Sequence, residues 1–114
     1  MISTIIVTYN EEKFLKECLE NAVRDSDEVV IVDLGSTDNT LEIAKNFNLR
    51  IFAHTKVDYV EMVRDFALSK ATGDWILVLD PDERMTPSLW NELKEVARAE
   101  NFAAVNIPRK NIFF

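Results

Sequence analysis

Glu28-Val29-Val30-Ile31-Val32 is a short, continuously apolar and β-branched run. It is followed by Asp33-Leu34-Gly35-Ser36-Thr37-Asp38, a stretch of turn formers. A strand that exposes one face alternates apolar and polar residues. One without that alternation is buried on both faces, as in a parallel sheet covered by helices. This run therefore decides between fold classes, and its neighbours agree with it.

Upstream, Ile2-Ser3-Thr4-Ile5-Ile6-Val7 reads as a first strand. Asn10 is placed as a helix N-cap, with Glu11 and Glu12 in the first turn. Phe14, Leu15, Cys18, Leu19, Ala22 and Val23 then recur at helical spacing. Downstream, Leu41, Ile43, Ala44 and Phe47 mark a second helix, and residues 50–54 a weaker third strand. A third helix runs from about Asp58 to Lys70, with Val60, Val63, Ala67 and Ala71 inward and Gly73 placed to end it. Trp75-Ile76-Leu77-Val78-Leu79 is a core strand. Thr86-Pro87 reads as N-cap and first-turn proline of a helix carrying Leu89, Trp90, Leu93, Val96 and Ala97. Residues 103–107 read as a fifth strand. This alternation predicts an α/β fold: a three-layer α/β/α sandwich on a mostly parallel sheet, as one domain over 1–114.

The bulk properties narrow the function. The net charge is −7, which argues against a nucleic-acid partner. A single cysteine, Cys18, cannot form an internal disulfide, and no apolar run is long enough to span a membrane. The first residues read as a strand without a basic leader, so the expected location is the cytoplasm. Only two glycines occur, Gly35 and Gly73. With no glycine-rich loop to cradle phosphate, P-loop and dinucleotide-fold readings fall away.

In open parallel sheets, ligands bind beyond the carboxyl ends of the strands. Thr8-Tyr9-Asn10-Glu11 follows the first strand there, Asp33 the second, and Asp80-Pro81-Asp82-Glu83 the fourth. Pro81 biases Asp80 toward extended geometry. In an extended segment, Asp80 and Asp82 face one way and form a hard-oxygen site suited to Mg²⁺ or Mn²⁺. With a cation between, an acidic chain can accept a diphosphate. Tyr9 can stack on a base, and Asp33 can accept a hydrogen bond from a base N–H. Each residue also has a plainer use. Asp80 and Asp82 can cap the turn before the fourth helix, Asp33 the second helix, and Glu11 can serve the first helix dipole. Arg64 can pair with Asp65 or Glu61. His54, Cys18, Trp75 and Trp90 read as structural.

Five segments, Ile5–Glu12, Ile31–Thr40, Arg64–Leu68, Ala71–Trp75 and Leu79–Glu83, stand in an order that resembles glycosyltransferase family 2 of the GT-A fold. The nearest likeness is to the lipopolysaccharide-core β-glucosyltransferase-like group. The resemblance implies an inverting transfer of sugar from a nucleotide-diphosphate donor, a UDP-sugar, to a glycan or lipid-linked acceptor in cell-envelope polysaccharide synthesis. It places Tyr9, Glu11 and Asp33 about the nucleoside, with Thr8 and Asn10 in the same segment. Asp80 and Asp82 match the DxD motif, with Asp82 as the direct metal ligand and Arg64 near the donor. Leu34 stands where many members carry a second acid. The family's catalytic base follows the fifth strand, so none is assigned, and the apolar ending at Phe114 is expected to be a cut. A face left open there offers a homodimer surface, and a lipid-linked acceptor implies contact with the inner membrane surface. A nucleotidyltransferase would carry a basic, glycine-rich loop after the first strand. A phospho-receiver domain would need an acceptor Asp where His54-Thr55 stands. A nucleotide- and metal-binding module without turnover is the remaining alternative.

Overall fold

The run Glu28–Asp33 is a strand with neighbours on both edges and helices on both faces, so no residue from Val29 to Asp33 is open to water. The computed structural model describes residues 1–55, 60–99, 106–107 and 110–113. The elements in chain order are β1 (Ile2–Thr8), α1 (Leu15–Asp25), β2 (Glu28–Asp33), α2 (Thr40–Ala44), β3 (Arg50–Ala53), α3 (Val60–Lys70), β4 (Trp75–Val78), α4 (Pro87–Ala99), β5 (Asn106–Ile107) and β6 (Lys110–Phe113). The sheet order is β3-β2-β1-β4-β6-β5. β1 pairs in parallel with β2, Ile6 opposite Ile31, and with β4, Ile5 opposite Val78. β6 runs parallel to β4, and β5 runs antiparallel to β6 at the edge.

The alternation of side chains splits the core into two layers. Ile6, Val29 and Ile31 pack with Leu15, Cys18, Leu19 and Ala22 of α1 and Ala44 of α2. Ile5, Val30, Val32 and Ile76 pack with Val63, Ala67 and Ala71 around α3. The two faces make the predicted three-layer α/β/α sandwich. Each fully buried Leu or Ile contributes about 1.5–3 kcal/mol of transfer free energy, so a single layer outweighs any local propensity. α4 returns to the α1 face. Trp90 is 1% exposed and its Nε1 donates to Asn21 Oδ1 at 3.3 Å.

Several local expectations change. α1 begins at Leu15, not at Asn10, and Phe14 is 40% exposed. α2 is only five residues long, so Phe47 packs on the core from the following turn. Leu89 lies 45% exposed on α4, although Thr86 caps that helix as predicted, its Oγ1 accepting from Leu89 N at 3.1 Å. β4 ends at Val78. Of the expected fifth strand, residues 103–105 lie outside the described residues, as do 58–59 of the expected third helix. β6, which was not among the expected strands, lies beside β4.

At the amino ends of the strands a polar brace holds the sheet together. Glu28 accepts from Ser3 Oγ at 3.0 Å, from Thr72 N at 2.9 Å and from Thr72 Oγ1 at 2.8 Å. Gly73 N donates to Ser3 Oγ at 2.9 Å, an approach that leaves no room for a Cβ at 73. The carboxyl ends lie on the opposite side from this brace. There the strand order turns about β1, with β2 on one side and β4 on the other. The crevice between β1 and β4 is the topological switch point of the sheet.

Candidate functional site

Beyond the ends of β1 and β2, two loops are locked together by their own side chains. Asn10 adopts φ +52°, the left-handed region that Asn tolerates better than most residues. This turn aims its side chain at the second loop. Its Oδ1 accepts from Thr37 N at 2.7 Å and Asp38 N at 3.4 Å, and its own N–H donates to Ser36 Oγ at 2.8 Å. Glu11 N donates to Thr40 Oγ1 at 2.8 Å, and Glu12 Oε2 accepts from Asn39 N at 3.2 Å. Asp38 Oδ1 accepts from Thr40 N at 2.9 Å and also from the Thr40 hydroxyl, which starts α2. Asn10 therefore bridges two loops rather than capping a helix.

Asp33 is the anchor of this clamp and is 2% exposed. Its Oδ1 accepts from Thr8 Oγ1 at 2.7 Å and Ser36 Oγ at 2.6 Å. Its Oδ2 accepts from Gly35 N at 3.1 Å and Ser36 N at 2.9 Å. A carboxylate has about four lone-pair positions, so all are filled from within the chain. Burial alone would raise the Asp33 pKa. The Ser36 hydroxyl and N–H, the Thr8 hydroxyl and the Gly35 N–H outweigh it and hold the carboxyl below the usual range. Gly35 supplies φ +89° at the turn.

Between the ends of β1 and β4 lies a cleft of about 140 Å³. Val7, Leu34, Val63 and Val78 make it apolar, and Arg64 and Asp80 bring charge to it. Glu83 N donates to Asp80 O at 2.9 Å, so Asp80–Glu83 is a β-turn and not the extended segment expected from the sequence. Asp80 N donates to Glu83 Oε1 at 2.8 Å. Asp80 and Asp82 are both exposed. Partial loss of solvent around the carboxyl, then the charges of Glu83 and Asp82, push Asp80 up, with Arg64 opposing. Glu11 is pushed up too, by burial first and then by Asp82, Asp38 and Asp80. Glu11, Asp80 and Asp82 thus share one electrostatic neighbourhood, from segments some seventy residues apart. Tyr9, 37% exposed, sits at the rim of this end of the sheet and does not line the cleft.

Among the described residues, no group of three or more His, Cys, Asp or Glu side chains makes a ready metal cage. The donor set does fit an ion held by one or two carboxylates and completed by phosphate and water, as Mg²⁺ commonly is. The sequence reading passed over Ser36, Asp38, Thr40 and Arg84. The first three were findable as Ser, Thr and Asp side chains in a turn that can bond backbone N–H groups. Arg84 gave no signal, because the groups it hydrogen-bonds are backbone carbonyls.

Comparison with known proteins agrees with this architecture. The family model described as glycosyl transferase family 2 matches residues 3–113. An uncharacterized glycosyltransferase of Rickettsia typhi is 34% identical over 100 residues, covering 88% of this chain and 34% of that protein. The structure of S. aureus TarS 1–349 in complex with UDP superposes with a TM-score of 0.73 and 30% identity, over 87% of this chain and 32% of that one. M. tuberculosis glucosyl-3-phosphoglycerate synthase in complex with UDP gives 0.68 over 92% of this chain and 42% of that one; at 20% identity the likeness speaks for the fold. The chain thus spans about a quarter to a third of the length of the curated relatives it matches. By family model, sequence and fold together, the chain belongs to glycosyl transferase family 2.

Proposed function

We propose that this chain is the donor-binding part of a metal-dependent, inverting glycosyltransferase that moves a sugar from a UDP-sugar to a hydroxyl of a glycan or lipid-linked acceptor. The observation that carries the reading is the cleft at the β1/β4 switch point, apolar along its walls and bordered by Arg64 and by Asp80, the first residue of the Asp80–Glu83 turn. The UDP present in the S. aureus TarS structure, a 30% identical neighbour, supports the choice of donor.

In this reading the apolar walls at Val7, Leu34 and Val78 shelter the nucleoside, and Tyr9 closes over it from the rim. Glu11 faces the ribose. Thr8, Asn10 and Asp33 contribute from behind, by holding both loops in one shape. Arg64 offers a cation to the diphosphate. Asp82, with Asp80, would hold Mg²⁺ or Mn²⁺, which when bound neutralises charge developing on the departing diphosphate. The acceptor oxygen loses its proton to a base, bonds to the anomeric carbon, and the C–O bond to the diphosphate breaks with its electron pair. No residue of this chain is assigned as that base. The site of action is the cytoplasm, at the inner membrane surface where the acceptor is lipid-linked. No helix among the described residues is long and apolar enough to cross a membrane.

Thermal unfolding with UDP and Mn²⁺, separately and together, tests the reading. Ligand at about a hundred times its dissociation constant stabilises by roughly 2.7 kcal/mol, or roughly 11 °C in Tm for a chain of this size. The expected result is a shift that needs both components and is lost in Asp82→Ala. A null result with UDP, GDP and ADP plus metal would refute it.

A further inference from the structure

The Asp80–Glu83 turn carries the charged end of the site, yet its own backbone bonds are few. One, Glu83 N to Asp80 O, closes the turn on itself. The bonds that fix the turn to the rest of the molecule come largely from Arg84. Its Nη1 donates to Pro81 O at 2.9 Å and to Glu83 O at 2.8 Å. Its Nη2 donates to Phe14 O at 2.9 Å, at the start of α1. One planar guanidinium therefore bridges two carbonyls of the turn and one of the helix behind it. Cys18 Sγ on the same helix lies 3.9 Å from Asp80 O, and Asn21 bonds both Met85 O and Met85 N, at 2.8 and 3.3 Å. The chain is thus fastened to α1 on both sides of Asp82.

A surface ion pair is the plainer account of Arg84, since Nη2 lies 3.5 Å from Glu17 Oε2. Glu17 is 82% exposed. Exposed pairs are worth about 0–1 kcal/mol, whereas the three carbonyls need donors in a fixed fork that only Arg presents. We propose that Arg84 is a positioning residue for the metal-binding turn, setting the direction of the Asp82 carboxylate through Pro81 and Glu83. This rests on the reading of Asp82 as a metal ligand. Partners that orient a metal ligand typically contribute about 10–100-fold to metal affinity, and Arg84 belongs in that range.

The test is Mn²⁺ binding by the intact protein, read from loss of the free-ion electron paramagnetic resonance signal in saturating UDP. Thermal unfolding without ligand is run beside it. The variants are Arg84→Ala, Arg84→Lys, Glu17→Ala and Asp82→Ala. The expected result is at least a tenfold weaker Mn²⁺ dissociation constant in Arg84→Ala. Arg84→Lys should recover only part of the loss, because an ammonium cannot span all three carbonyls, and Glu17→Ala should match the parent. Should Arg84→Ala not fold, Arg84→Lys carries the same expectation in smaller measure. Parent-like Mn²⁺ affinity in the folded Arg84 variants, with binding lost in Asp82→Ala, overturns this proposal and leaves the proposed function standing. Equal loss in Glu17→Ala and Arg84→Ala also overturns it, in favour of the ion pair. Mn²⁺ affinity unchanged by Asp82→Ala overturns both.

Discussion

Replacing Asp33 by Asn tests whether a buried charge shapes the loops beyond β1 and β2. Its carboxylate takes four donors, two hydroxyls and two backbone N–H groups, and is 2% exposed. The amide has one acceptor oxygen. That oxygen must serve Gly35 N and Ser36 N, which cannot reverse, while the Thr8 and Ser36 hydroxyls rotate to accept from the amide NH₂. All four contacts survive, but as neutral ones. Hydrogen bonds to a charged group are worth about 1.5–3 kcal/mol against about 0.5–1.5 for neutral pairs. The variant is also spared some cost of burying a charge, so the net loss expected is about 2 kcal/mol near neutral pH. For a chain of this size that is roughly 8 °C in Tm. Asp33→Ala strands the two N–H groups, and each stranded group costs about 1–3 kcal/mol, so it should lose more. The pH dependence has a definite sign. The folded carboxyl lies below its unfolded value of about 3.9, so the unfolded chain takes up the proton first. The stabilisation is complete above the unfolded value and is lost as pH falls through the folded one. The gap between parent and Asp33→Asn should therefore close on acidification below about pH 4. Thermal unfolding followed by circular dichroism from pH 7 to 3 measures it. A variant as stable as the parent at pH 7, or a gap that widens toward acid, would refute the account of Asp33 as a charged anchor.

Further expectations follow from the same geometry. Asn10→Ala loses the acceptor for Thr37 N and also places a Cβ residue at φ +52°. Asn10→Gly keeps that backbone at ease, so it should be the more stable of the two by about 1 kcal/mol, read from urea midpoints; the reverse order would count against the left-handed turn. Gly73→Ala would put a Cβ 2.6 Å from Ser3 Oγ and 2.9 Å from Met1 O. Overpacking of this kind costs about 1–3 kcal/mol, and a Tm equal to the parent's would show the brace to be looser than described. Cys18 is fully buried and its thiol is pushed up to about 11, chiefly by burial. It should resist a thiol reagent at pH 8 until the chain is unfolded, and prompt native reaction would contradict its place on the buried face of α1.

The sandwich was legible because its signals are repetitive. Val29–Val32 and Trp75–Val78 lack polar alternation, and Leu15, Cys18, Leu19 and Ala22 keep helical spacing along the buried side of α1. The errors fall where a contact distant in sequence overrode a local preference. Asn10 and Glu11 have the composition of a helix start, but partners 26 to 29 residues on hold them in a turn. Pro81 was expected to extend the Asp80 segment, whereas the Glu83 N–H and the Arg84 guanidinium fold it into a β-turn. β6 could not be read because its place depends on pairing with β4, across all of α4. Within the site, Asp80 and Arg64 border one cleft. The part assigned to Asp33 was harder to see. A carboxylate that contacts a ligand and one that satisfies its own loop look the same in a sequence.

Leu34 divides its labour between main chain and side chain. Its N–H bonds Thr8 O at 2.9 Å and so belongs to the frame, while its side chain faces the cleft. Exchange of that side chain changes the wall of the cleft, while the N–H bond to Thr8 O does not depend on which side chain stands there. Position 34 therefore ties the wall of the cleft to the core layer under α3, and a change of shape there is felt by both at once.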